Sequence, residues 1–208
     1  MAGTSRILPV DGRLDRRVKS RLAICDACLD LVEDGVLQPS ADEIAERAGV
    51  SRRSIFNHFR DLAELSDAVV EVGMQRCAPL LKKISEDEPI GQRLERFCEV
   101  RSAFLEATVP FTRSLTVRIL VGNEGEQAWR VTQDALRLHG EEIKRLFRRE
   151  LTSGSKDEQL ETVEALAAAT SPLTWEVLRH SQGLSMARAR SVMKRTLTAL
   201  LRDAGVEL

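Results

Sequence analysis

Ser51, Arg52, Arg53, Ser54, Asn57, His58 and Arg60 fall within one short stretch that contains no acidic residue. These residue types can read a nucleic-acid duplex. An arginine bonds two acceptors of guanine at once and an asparagine does the same for adenine, each pair discriminating bases by about 1–3 kcal/mol. A helix opening at Ser51 would also point free backbone N–H groups at a phosphate. Basic helix faces are common on ordinary solvated bundles, so the residue types alone do not decide. The elements that present them must.

Those elements are marked locally. Ser40 followed three residues on by Glu43 forms a capping box, which starts a helix just after Pro39. Ile44, Ala45 and Ala48 line one face, and Gly49 supplies the backbone freedom for a sharp turn. Ser51 caps the next helix, and the spacing of Ile55, Phe56 and Phe59 predicts that these three bury one side of it. Asp61 and Glu64 make another capping box, so the helix must stop near Phe59. That leaves about eight residues, or about 12 Å of rod, comparable with a major groove about 12 Å wide. Two short helices about a tight turn, at about 40–59, are the expected pattern.

Charge is distributed to match. The net charge of −1 does not by itself suggest a polyanion partner. Residues 1–21, however, hold six basic residues, among them Arg13, Arg16, Arg17 and Arg21, against Asp11 and Asp15, whereas 61–208 holds 21 basic and 23 acidic residues. Affinity would therefore come from two local basic patches rather than a global field. The segment before the first helix is expected to be an arm that follows the phosphate backbone or enters the minor groove.

Other chemistry is sparse. No nucleophile elbow, zincin motif, phosphate loop or dinucleotide fingerprint occurs, so no enzyme and no cofactor are expected. His139 with Glu142, and Glu176 with His180, share helix faces, but neither pair matches a helical di-iron ligand set, and both read as surface polar contacts. Cys25 and Cys28 form a lone C-x-x-C on the stripe Val18, Leu22, Cys25, Leu29, Val32, so both thiols are expected to pack as small core residues rather than hold metal. Twelve Gly, six Pro and no Tyr, with only 4% aromatics, indicate an all-α chain. No apolar run approaches a membrane span and the first residues lack the apolar core of a signal peptide, so a cytoplasmic protein without membrane contact is expected.

Helical spacing predicts a first helix over about 15–34 ended by Gly35, and a fourth from Asp61 toward Ile84. A fifth is expected over about 91–108, stopped by Pro110, with a shorter segment 111–121 before the loop 122–125. Residues 126–151 are periodic again. The pair 157–182, kinked at Pro172, and 185–204 completes the chain.

The stretch from Arg21 to Leu65 resembles the DNA-binding domain of the TetR (tetracycline repressor) family of bacterial transcriptional regulators. The family's run is roughly A-x-x-A-G-V-S-x-G-T-L-Y-x-H-F-x-x-K-E-x-L, and here it stands as A-E-R-A-G-V-S-R-R-S-I-F-N-H-F-R-D-L-A-E-L. Phe56 replaces the usual tyrosine and cannot bond a phosphate, Leu62 stands where lysine is common, and Arg53 replaces a glycine. Backbone charge is then expected from Arg52, Arg53, Arg60 or the arm.

The resemblance implies about nine helices: a basic arm at 1–16, a helix-turn-helix domain at 17–77, and a helical effector-binding and dimerisation domain at 78–208. Arg52, Arg53, Ser54 and Asn57 would read bases, while Ser51, His58, Arg60, Arg16 and Arg17 would hold the backbone of a near-palindromic double-stranded operator. A homodimer through the last two helices would use Ala165, Ala169, Leu197 and Leu201. An unidentified small-molecule effector would meet Phe97, Arg101, Phe104, Phe111, Arg118, Trp129, Gln133, His139 and Trp175, although aromatics at helical spacing usually form plain core. Repression released by that effector is the first expectation. An activator or nucleoid-associated factor on the same scaffold, or a helical module that binds an acidic protein instead of DNA, are the alternatives.

Overall fold

The computed structural model describes residues 12–121 and 125–208, with backbone alone for 12–15, 121, 125–128 and 131. Every regular element among them is a helix. The chain divides into two compact units, Met1–Gly73 and Met74–Leu208.

The first unit contains α1 (Gly12–Glu33), α2 (Ala41–Ala48), α3 (Arg52–His58) and most of α4 (Leu62–Cys77). The stripe on α1 is buried only in its second half: Cys25, Leu29 and Val32, with Ile24 and Cys28 beside them, pack with Ile44, Ile55, Phe59 and Leu65, whereas Val18 and Leu22 are exposed. Full burial of side chains such as Ile24 or Ile55 contributes about 1.5–3 kcal/mol each. Cys25 and Cys28 are unbridged members of this core. Gly35, at φ +94°, closes α1: its N–H bonds Val32 O at 3.1 Å while the N–H of Val36 bonds Leu31 O at 2.9 Å. Two otherwise orphaned carbonyls are thereby satisfied, and glycine is the residue that adopts such a φ without a Cβ clash. Because α1 already begins at Gly12, residues 12–16 of the expected arm are helical. The rest of that arm lies outside the described residues.

The second unit contains a 3₁₀ turn at Ala78–Leu80, then α5 (Ile90–Val121), α6 (Gly125–Phe147), α7 (Lys156–Ala169), α8 (Pro172–Glu176) and α9 (Met186–Asp203). Its core joins Phe97, Cys98 and Leu105 of α5 to Ile143, Leu146 and Phe147 of α6, Leu166 of α7, Trp175 of α8, and Met193, Leu197 and Leu201 of α9. Arg93, buried near the start of α5, bonds the Glu88 carbonyl at 2.8 Å and also the Leu146 carbonyl and Glu150, joining α5 to the end of α6.

Proline positions account for the departures from the expected boundaries. α4 ends at Cys77, not near Ile84, because Pro79 enters the tight turn that follows. Pro110 does not stop α5, which continues through it for 32 residues in all. A mid-helix proline sacrifices about 3 kcal/mol, and anchoring of Leu105 and Val109 in the core offsets that cost. Pro172 does the reverse. Ser171 adopts extended backbone and caps the N–H of Thr174 at 3.2 Å, so Pro172 becomes a first-turn residue of a new helix rather than a kink. α8 then continues as a wider-wound stretch, Val177–Ser181, where the Gln182 N–H reaches Val177 O at 2.9 Å. α6 ends at Phe147, four residues before the expected Leu151.

Candidate functional site

The recognition segment is held at both ends by side chains. Ser51 is extended and its hydroxyl accepts from the Ser54 N–H at 3.1 Å, so α3 starts where the sequence indicates. Phe59 leaves the helix in extended conformation, and the Asp61 carboxylate caps α4 through the Glu64 N–H at 2.8 Å. The Glu64 carboxylate returns to the Arg60 N–H at 2.8 Å. These backbone bonds, with Arg60 beside Asp61 and Arg21 beside Glu64, hold both carboxyls below their ordinary range. Upstream, the Ser40–Glu43 capping box is present, and Gly49 at φ +65° turns the chain from α2 toward α3.

With Ile55 and Phe59 buried, α3 exposes Arg52, Arg53 and Asn57. Ser54 and His58 are half-buried, and His58 has Nδ1 enclosed without a hydrogen-bond partner, so its ring packs. Phe56 is 42% exposed, not turned inward as its spacing predicts. One residue past Ile55 is about 100° further round a helix of 3.6 residues per turn, and that rotation takes it out of the core. The Arg52 guanidinium sits 5.9 Å from the Phe56 ring centroid and 3.1 Å from Asp42 of α2. Arg60 pairs with Asp61 at 2.9 Å on the surface. Arg16 and Arg17 are exposed on α1.

Arg21 departs from the expected arm. Its guanidinium lies 4.0 Å from the centroid of Phe59, donates to the His58 carbonyl at 2.6 Å and reaches Glu64 at 3.1 Å. It is a positioning residue for the end of α3, where an unsatisfied carbonyl and the helix dipole both favour a cation. Its partners lie about forty residues away in sequence, and nothing local distinguishes it from Arg16 or Arg17.

In the second unit the expected effector residues separate into three groups. Phe97, Arg101, Phe104 and His139 come together: Phe97 and His139 stack with centroids 6.0 Å apart, and the Arg101 guanidinium lies 5.6 Å from the Phe104 ring. Thr170, which sequence reading missed, links them, accepting from Arg101 Nε at its carbonyl (2.9 Å) and meeting His139 Nε2 at its hydroxyl (2.7 Å). Trp175 is buried but committed to Glu106, which its Nε1 bonds at 2.9 Å beside Arg179. Phe111 and Arg118 are half-buried farther along α5, while Trp129 and Gln133 are exposed on α6. His139 is not the surface residue expected. It is buried and beside Glu142 at 3.9 Å, and burial lowers its pKa while the neighbouring imidazole keeps Glu142 low.

Leu197 and Leu201 are fully buried against their own chain, so they form its core and present nothing to a second copy. Ala165 and Ala169 are half-buried. Among the described residues no group of three His, Cys, Asp or Glu side chains is placed to hold a metal, and no helix is long and apolar enough to cross a membrane.

Capped short helices about a glycine turn define a helix-turn-helix protein. Residues 31–69 match the family described as bacterial regulatory proteins, tetR family. The chain is similar in structure to a transcriptional regulator from Rhodococcus sp. Rha1, with a TM-score of 0.70 at 16% identity over 91% of this chain and 100% of that one. It is similar to NalD, the secondary repressor of the MexAB-OprM multidrug efflux pump in Pseudomonas aeruginosa, with a TM-score of 0.56 at 21% identity over 88% and 94%. A protein from Mesorhizobium loti MAFF303099, assigned to the TetR family of transcriptional regulators, gives 0.59 at 19% over 90% and 98%. No curated protein matches the chain in sequence. The fold is that of the solved TetR-family transcriptional regulators, and the resemblance seen in the sequence holds.

Proposed function

We propose that this chain is a homodimeric, sequence-specific DNA-binding repressor that a small-molecule effector releases from a near-palindromic operator. The observation that carries the reading is the outer face of α3, where Arg52, Arg53 and Asn57 project from a capped, acid-free rod. Arg53, Ser54 and Asn57 are the base readers with least to give up. Arg52 must first leave Asp42, an exposed pair of small worth. Ser51, Arg60, Arg16 and Arg17 supply phosphate contacts, and His58 supports the helix by packing.

One seven-residue helix reads few bases, and two on a dimer combine their discrimination across symmetric half-sites. NalD being a repressor supports repression over activation here. An effector bound in the second unit releases DNA only by binding the non-DNA state more tightly, so its own affinity must drop when operator is present.

Selection of bound sequences from random duplex DNA tests the reading, since a dimer should return an inverted repeat. On that sequence, Arg53→Ala and Asn57→Ala should each cost about 1–3 kcal/mol and relax preference at particular positions. Recovery of no motif, or variants that bind like the parent, would reject it.

A further inference from the structure

Arg101 is a buried cation without a counter-ion among the described residues. It is 7% exposed, and no carboxylate among the described residues lies within ion-pairing distance. Its one hydrogen bond runs from Nε to the Thr170 carbonyl. The two Nη groups take no acceptor from the described residues. Glu142 is the acid whose field reaches it, from beyond ion-pair range. Burial draws the guanidinium pKa down to about 10, so the charge persists at neutral pH.

Around it are apolar rings: Phe104 beside the guanidinium, and Phe97 stacked on the His139 imidazole that shares Thr170 with it. Withdrawing a cation from water is unfavourable unless an anion accompanies it. A planar fork with both Nη groups uncommitted suits the two oxygens of a carboxylate.

We propose that Arg101 anchors an anionic ligand, a carboxylate with a flat apolar body, with its oxygens on the Nη groups and its body on the Phe104 side of the guanidinium. This assigns a chemical class to the effector and rests on the effector reading above. The competing role for Arg101 is purely structural. Thr170 follows the end of α7, where a cation also favours the helix dipole.

Calorimetric titration of the full chain with benzoate and 1-naphthoate, and with the matching neutral amides, separates the two. The parent protein should bind at least one acid about tenfold or more tightly than its amide, because the amide leaves the buried charge unpaired. Arg101→Gln should erase that preference, and Arg101→Lys should retain part of it, with thermal melting confirming that each variant folds. If Arg101→Gln does not fold, the comparison of Arg101→Lys with the parent decides. Equal affinity of acid and amide in the parent, no binding of either acid, a preference that survives in Arg101→Gln, or one undiminished in Arg101→Lys would overturn the proposal. A lower melting temperature with anion preference unchanged marks a clamp and overturns it too. Operator release is scored separately: an acid that binds through Arg101 and leaves DNA bound would sink the effector reading and leave the anion site standing.

Discussion

A guanidinium's contribution depends on what surrounds its Nη groups, and three arginines of this chain span the range. Arg53 is exposed and available to a base edge, Arg21 is tied to His58 and Glu64, and Arg101 is buried with its Nη groups uncommitted. Arg21→Met should therefore act on the first unit without touching a base. Losing a charge-assisted bond to a carbonyl and a half-exposed ion pair should cost about 1–2 kcal/mol, read as a lower urea midpoint. An unchanged midpoint would show that the clamp contributes nothing. His139 offers a test by pH. Its folded pKa lies below the ordinary 6.5 because burial disfavours the charged ring. The unfolded chain therefore takes the proton first as pH falls, and stability fully present above about 6.5 is lost on the way down to the folded pKa. Calorimetric melting temperatures should fall as pH drops below about 6.5, and His139→Gln should flatten that part of the curve. Glu142, also depressed, would add its loss only below the ordinary carboxyl range.

At the scale of elements, α3 is too short to stand by propensity. Its seven residues are fewer than an isolated helix needs, so caps and two buried side chains sustain it. Ser51→Ala should destabilise the fold by about 1 kcal/mol and, on the proposed function, weaken operator binding further than the stability loss explains, since that reading sets the same turn against a phosphate. Ser51→Thr should restore the stability. A thermal and binding comparison of the three proteins checks both parts, and equal stability of the alanine variant would show that the cap is idle. The cap signals here were legible because a capping box acts across three residues. The same locality explains the contrast between Pro110 and Pro172. Ser171 announces a helix start beside Pro172, whereas only distant core partners keep α5 continuous through Pro110.

At the scale of the molecule, the proposed homodimer has to use side chains that the single chain leaves outside. Leu173 and Val177 lie one helical turn apart and are 64% and 47% exposed. They are stronger candidates for a self-association face than Leu197 and Leu201. Leu173→Glu combined with Val177→Glu should leave single-chain mass in light scattering where the parent gives twice that mass, without loss of helical content. A parent of single-chain mass would reject the dimer, and a double variant of undiminished mass would move the interface elsewhere.

Read alone, the sequence determined the helical class, the two capping boxes, the glycine turn and the cationic face of α3, because each depends on residues within one or two turns of each other. It also placed Cys25 and Cys28 in a core stripe correctly, since helical periodicity is a local property. It could not tell that Arg21 turns inward, that His139 is buried, or that Leu197 and Leu201 serve their own chain. Those outcomes depend on partners 31 to 43 residues away where bonds are involved, as for His139 with Thr170 and Arg21 with His58 and Glu64. Only the packing of whole helices decides which face of each is enclosed, and that is where the second unit acquired an unpaired charge.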